Sequence, residues 1–116
     1  MKTVKTIYDI RQIVSEVGKK GKSVGLVPTM GFFHEGHLSL IREARKDCDV
    51  VVVSIFVNPV QFSPGEDCER YPRDLIRDEK MAEEEKVDFI FAPGVSEMYP
   101  SGYSTFVEVE HLDEVM

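Results

Sequence analysis

His34 and His37 stand three residues apart with Gly36 between them, inside a stretch that reads VPTMGFFHEGHLSL from Val27 to Leu40. Two imidazoles can donate to oxygens on which negative charge develops. Gly36 has no side chain to block the approach of a ligand. An apolar run, Val24 to Val27, leads in as a buried strand, which Pro28 and Gly31 are expected to break. An amphipathic segment takes over from Leu38. Strand, glycine-bearing turn and helix start together present backbone N–H groups to an anion, so a nucleotide-phosphate site leads. Two other readings stay open. A zinc site would need one or two further ligands, and His111, Cys48 and Cys68 stand at no motif spacing. HEGH is also not HExxH, because its histidines are three residues apart and not four. Alternatively, both histidines simply decorate a helix start. There is no GxGxxG and no GxxxxGK[ST], which argues against the usual dinucleotide and P-loop sites.

Asn58 and Gln61 form a second candidate group at the mouth of the apolar run Val50 to Val57. Both side chains donate and accept. Asn58 before a proline fits ordinary turn chemistry equally well, whereas Gln61 lies between Val60 and Phe62 and is expected to face something polar. Tyr71-Pro72-Arg73-Asp74 reads as a helix start, and MYPSG (98–102) as a loop edge or lid.

These residues need a scaffold. Thr6 to Asp9 fits a capping box, and Ile10, Ile13, Val14 and Val17 follow on one helical face until Gly18 and Gly21 stop it. Ser23 to Val27 is the first strand. A helix from about Gly36 to Lys46 turns Leu40, Ile41 and Ala44 inward. VVVVSIFV (50–57) has the composition of a strand buried on both faces of a parallel sheet. Asn58 to Tyr71 is a loop, which its prolines exclude from regular structure. Pro72 then begins a helix to about Lys86, with Leu75, Ile76, Glu79 and Ala82 on one side and Glu83, Glu84 and Glu85 on a solvated face. Asp88 to Ala92 is a third strand, Pro93 to Gly102 a second long loop, and Ser104 to Glu110 alternates as a half-exposed strand. The order α, β, α, β, α, β, β is that of an α/β protein with a parallel sheet and flanking helices.

The 116 residues, 42% hydrophobic and 30% charged, describe one globular domain. A net charge of −7 disfavours general binding to nucleic acid or anionic membrane. Cys48 and Cys68 lie far apart and form no disulfide framework. With no apolar run long enough to span a membrane and no signal-peptide core, the protein is expected in the cytoplasm.

PTMGFFHEGHLSL, VVVSIFVNPVQF, EDCERYPRD, DFIFAP and MYPSG, in this order, resemble the pantoate–β-alanine ligase family. The likeness runs from about Ser23 to Val109. It implies a Rossmann-like domain of the HxGH nucleotidylyltransferase type, incomplete in residues 1–116 and without a C-terminal domain. It also implies an ATP-dependent ligation: pantoate is adenylated with release of pyrophosphate, and β-alanine then displaces AMP to give pantothenate. The resemblance places ATP along Met30, Gly31, Phe32, Phe33, His34, Glu35, Gly36 and His37. It gives His37 the part of proton donor, with His34 facing phosphate. Pantoate would lie against Pro28, Thr29, Met30, Asn58 and Gln61, and β-alanine against Gln61. Mg²⁺ would accompany the ATP phosphates without a dedicated protein metal site, and the complete enzyme would be a homodimer. Phe33 departs from the leucine usual there. Family members continue with lysine/glutamine and serine/arginine segments that grip the nucleotide, so these residues alone are expected to be inactive and to self-associate through an open edge. The alternatives are a nucleotidylyl transfer to another substrate and a half-domain that is not an enzyme and only binds a ligand or a partner.

Overall fold

The β-branched run after Asp49 forms the strand at the heart of the molecule. The structure is a computed structural model that describes residues 1–62 and 70–100. Its elements are β1 (Lys2–Val4), α1 (Ile7–Lys19), β2 (Val24–Thr29), α2 (Glu35–Asp47), β3 (Val50–Ile55), a 3-10 turn (Pro59–Gln61), α3 (Leu75–Glu84), β4 (Phe89–Phe91) and α4 (Val95–Met98). The strands form one parallel sheet in the order β1-β4-β3-β2. Val51, Val52 and Val53 are buried on both faces of β3, as their composition requires. Val51 and Val53 share one core with Val27, Ile90, Phe33, Ile41 of α2 and Ala82 of α3.

Thr6 caps α1 by accepting from the Asp9 N–H, as its sequence predicts. The face is shallower than expected, because Val14 is exposed while Ile10, Ile13 and Val17 are half-buried. Lys2–Val4 was not expected to be a strand. Three residues are too few for periodicity, and only pairing with β4 makes them one. β2 runs through Pro28 to Thr29 instead of stopping at Val27. Among the described strands, β2 has a neighbour on one side alone, and a missing N–H is tolerated on an edge.

α2 buries Ile41 fully and Ala44 partly, but Leu40 points outward at 57% exposure, contrary to the expected inward face. α3 begins at Leu75 and not at Pro72, because Asp74 is the cap and accepts from the Arg77 N–H. Its buried side is Asp78 and Ala82; Ile76 is 82% exposed. The Glu83-Glu84-Glu85 run is not wholly a solvated face. Glu85 is half-buried and takes both Nε and Nη2 of Arg42, at 3.0 and 2.7 Å. That bond, with a second to Glu35, strengthens the proton affinity of the Arg42 guanidinium, and the same contact depresses the Glu85 pKa. Arg45 extends the tie between α2 and the sheet. It bonds the Lys86 carbonyl, Asp88 and the carbonyls of Cys48 and Asp49. Pro59 starts a 3-10 turn where only irregular loop was expected, and Val95–Met98 is helical inside the second expected loop. The expected strand Ser104 to Glu110, and Cys68, lie outside the described residues.

The inward and outward sides of α2 predict very different costs. Ile41→Ala should lower unfolding free energy by about 2–5 kcal/mol, while Leu40→Ala should stay within about 0.5 kcal/mol. Urea denaturation measures both. Equal losses would contradict the packing of α2.

Candidate active site

The four strands among the described residues run in one direction, so the ends of β2, β3 and β4 open on the same side of the sheet. Ligands of open α/β sheets bind at that side. The chain leaves β2 at Thr29, whose hydroxyl donates to the Ser54 carbonyl at 2.9 Å and accepts the Gly31 N–H at 3.0 Å. Gly31 (φ 84°) and Phe32 (φ 52°) then take left-handed backbone. Glycine is needed at the first of these. A Cβ at Gly31 would stand 2.9 Å from Ile55 Cγ2 and 3.1 Å from Asp78 Oδ2. Phe32 has no such freedom and costs on the order of 1–2 kcal/mol in this conformation. Asp78 of α3 holds it there, with its carboxylate accepting the Phe32 N–H at 2.8 Å and the Phe33 N–H at 2.9 Å. Arg77 adds a bond to the Phe33 carbonyl and lies 5.0 Å over the Phe32 ring.

The turn drops Phe33 into the core at 1% exposure, so a ligand is left only its main chain. His34 follows as the N-cap of α2. Its Nδ1 accepts the Gly36 N–H at 2.9 Å, while its own N–H donates to His37 Nδ1 at 3.1 Å. The two histidines therefore form a reciprocal cap in the places usually held by Ser or Thr and by Glu or Gln. The chemical consequence is a fixed tautomer: a ring whose Nδ1 accepts carries its proton on Nε2. Both rings thus keep an Nε2–H donor, with centroids 4.1 Å apart, beside the positive end of a 13-residue helix. Gly36 is required for this cap. A Cβ there would stand 2.7 Å from His34 Cε1.

His37 is held below the ordinary imidazole pKa of 6.5, first by partial burial and next by the neighbouring His34, with Asp78 pulling the other way. It is the neutral donor that the cap requires. Glu35 turns away from this group and bonds Arg42 at 2.5 Å. No three His, Cys, Asp or Glu side chains gather around one point among the described residues.

The other expected residues are distributed unevenly. Met30, Gly31 and Phe32 line a cavity of about 220 Å³ with Ile55, Phe56 and Val57 at the end of β3, the start of α3, and Ala92 to Val95 after β4. Neither histidine lines it, nor do Asn58 and Gln61. Asn58 serves the turn, as its Oδ1 accepts the Val60 N–H and also the Tyr99 hydroxyl, at 3.0 and 3.1 Å. Gln61 ends the 3-10 turn with its side chain exposed, and Pro28 is exposed on the edge of the sheet. Thr29 commits its hydroxyl to the main chain. Asp78, Arg77 and Tyr99 were missed as single residues. Asp78 had a signal, since it stands three residues after Leu75 and four before Ala82, a charge set in an apolar stripe.

Protonating His37 at Nδ1 removes the acceptor for the His34 N–H. The folded pKa lies below the unfolded one, so the cap contributes fully above about 6.5 and is lost as pH falls through the lower folded value. Urea midpoints measured between about pH 7 and about pH 5 should fall for the wild type and fall less for His37→Gln. Parallel profiles would contradict the cap.

The family model described as Pantoate-beta-alanine ligase matches residues 2–116. The chain is 60% identical over 107 residues to a pantothenate synthetase of Pelotomaculum thermopropionicum, covering 92% of this chain and 38% of that protein. To the one of Moorella thermoacetica it is 57% identical over 116 residues, 100% of this chain and 41% of the relative. The crystal structure of the Thermus thermophilus enzyme superimposes with a TM-score of 0.81 at 52% identity, over 90% of this chain and 36% of that one. A pantoate-beta-alanine ligase from Francisella tularensis, complexed with beta-gamma ATP and beta-alanine, gives 0.76 at 40% identity, over 88% and 39%. The chain thus spans about two fifths of the length of such relatives. The expected Rossmann-like parallel architecture holds, and the chain belongs to the pantoate–β-alanine ligase family.

Proposed function

We propose that these residues form the amino-terminal wall of an active site that condenses pantoate with β-alanine, driven by ATP. The observation that carries the reading is the reciprocal histidine cap. It leaves two Nε2–H donors at a helix N-terminus, on the ligand-binding side of a parallel sheet. The family match supports the same reading, as does the nucleotide and β-alanine complex described for the Francisella relative.

The chemistry asks little of the protein beyond position and charge. A carboxylate oxygen of pantoate attacks the α-phosphorus of ATP, and the bond to pyrophosphate breaks. The amine of β-alanine then attacks the acyl carbon, loses a proton, and AMP leaves. In the first step charge gathers on phosphate oxygens, where His34 and His37 would donate. Because His37 is held neutral, it offers a hydrogen bond from Nε2 at neutral pH, which narrows its expected part as proton donor. Mg²⁺ would arrive with the triphosphate, held by phosphate oxygens and water. Gln61, exposed on the turn after β3, would meet pantoate and β-alanine. Asn58 would support that turn.

In the full-length polypeptide that carries these residues, pantoate-dependent exchange between ATP and pyrophosphate should be measurable. Gly36→Ala should cut it by about 100-fold, because the new Cβ displaces the His34 ring from the cap. Exchange with another acid but not with pantoate would refute the substrate. Undiminished exchange in Gly36→Ala would refute the role of the histidine cap.

A further inference from the structure

The reaction as proposed leaves a charged pair on α3 unused. Asp78 is 1% exposed, a depth at which a carboxylate is costly unless its oxygens are matched. Here they are matched by main chain, with Oδ2 accepting from the Phe32 N–H and Oδ1 from the Phe33 N–H. Arg77 completes the clamp. It donates to the Phe33 carbonyl at 3.0 Å, stacks on Phe32, and stands 3.7 Å from Asp78 Oδ1. Two consecutive residues of α3 thus hold the left-handed turn through which β2 reaches His34.

We propose that Asp78 and Arg77 are positioning residues of the active site. They set the direction in which the Gly31–Phe33 turn delivers the histidine cap, and so align its donors with the nucleotide phosphates without touching the ligand. Because both carboxylate oxygens already hold N–H groups, the negative charge beside the site is answered before an anion arrives. This inference rests on the ATP reading above.

The test is steady-state kinetics on the full-length polypeptide, with amide hydrogen exchange at Phe32 and Phe33 beside it. Asp78→Asn keeps the shape but offers one acceptor and turns an NH₂ on the other N–H. The ATP KM should rise about 10-fold or more, and the Phe32 and Phe33 amides should lose protection. Glu79→Gln is the control on the same helix. It weakens the 2.6 Å bond from Thr3, and should lower stability while leaving the ATP KM in place. An unchanged ATP KM in Asp78→Asn, or an equal rise in Glu79→Gln, overturns the proposal. If Asp78→Asn does not fold, Arg77→Lys carries the test. It keeps the charge but loses the planar fork, so its ATP KM should rise, and an unchanged value overturns the proposal. A wild type without pantoate-dependent exchange refutes the function instead, and the loss or retention of amide protection in Asp78→Asn still decides whether the carboxylate holds the turn.

Discussion

A buried carboxylate that accepts two consecutive backbone N–H groups is the constraint on which this site depends. Asp78 accepts the N–H groups of Phe32 and Phe33 and so holds Phe32 in left-handed backbone. Position and chemistry meet in that turn. Phe33 is driven into the core, His34 is placed at the cap, and the helix axis is aimed at the open end of the sheet. The Asp78 carboxylate is buried, while His34 at the cap is exposed.

The second constraint is the use of histidines as capping groups. A helix start normally uses a hydroxyl or carboxylate to satisfy its orphan N–H groups. Here two imidazoles do so and retain a second polar atom each. The same hydrogen bonds that stabilise α2 therefore specify a tautomer and an outward donor. Stability and the proposed function draw on one set of contacts. That link explains why burial and proximity, which hold His37 neutral, suit both purposes. On the far end of α2, Arg42 and Arg45 tie the helix to α3 and the strand ends, so the whole helix is set against the sheet as one piece.

The fold was largely legible because its signals are local. Val50 to Ile55 has the composition of a doubly buried strand, Thr6 is a cap, and HEGH follows a strand and precedes a helix. What escaped was non-local. Lys2–Val4 becomes a strand only by pairing with residues 89–91, far along the chain. The inward face of α3 was misjudged because Asp78 is charged and Ile76 is apolar, yet a turn 45 residues away supplies the carboxylate's partners. Within the site, the histidines and Gly31 were recognisable from type and spacing. The tautomers were not, since they follow from which atom accepts from which N–H. The resemblance to a ligase family brought Asn58 and Gln61 into sharper focus. The structure adds that Asn58 is engaged with Tyr99 and its own turn.

The central claim is that the two capping imidazoles turn their Nε2–H groups to phosphate. A long-range proton–nitrogen correlation spectrum of the full-length polypeptide at neutral pH tests it most directly. Both His34 and His37 should show the Nε2–H tautomer, and their Nε2 resonances should move when ATP is added while the Nδ1 resonances stay in place. Nδ1–H tautomers, imidazolium rings, or Nε2 resonances unmoved by saturating ATP would contradict the account.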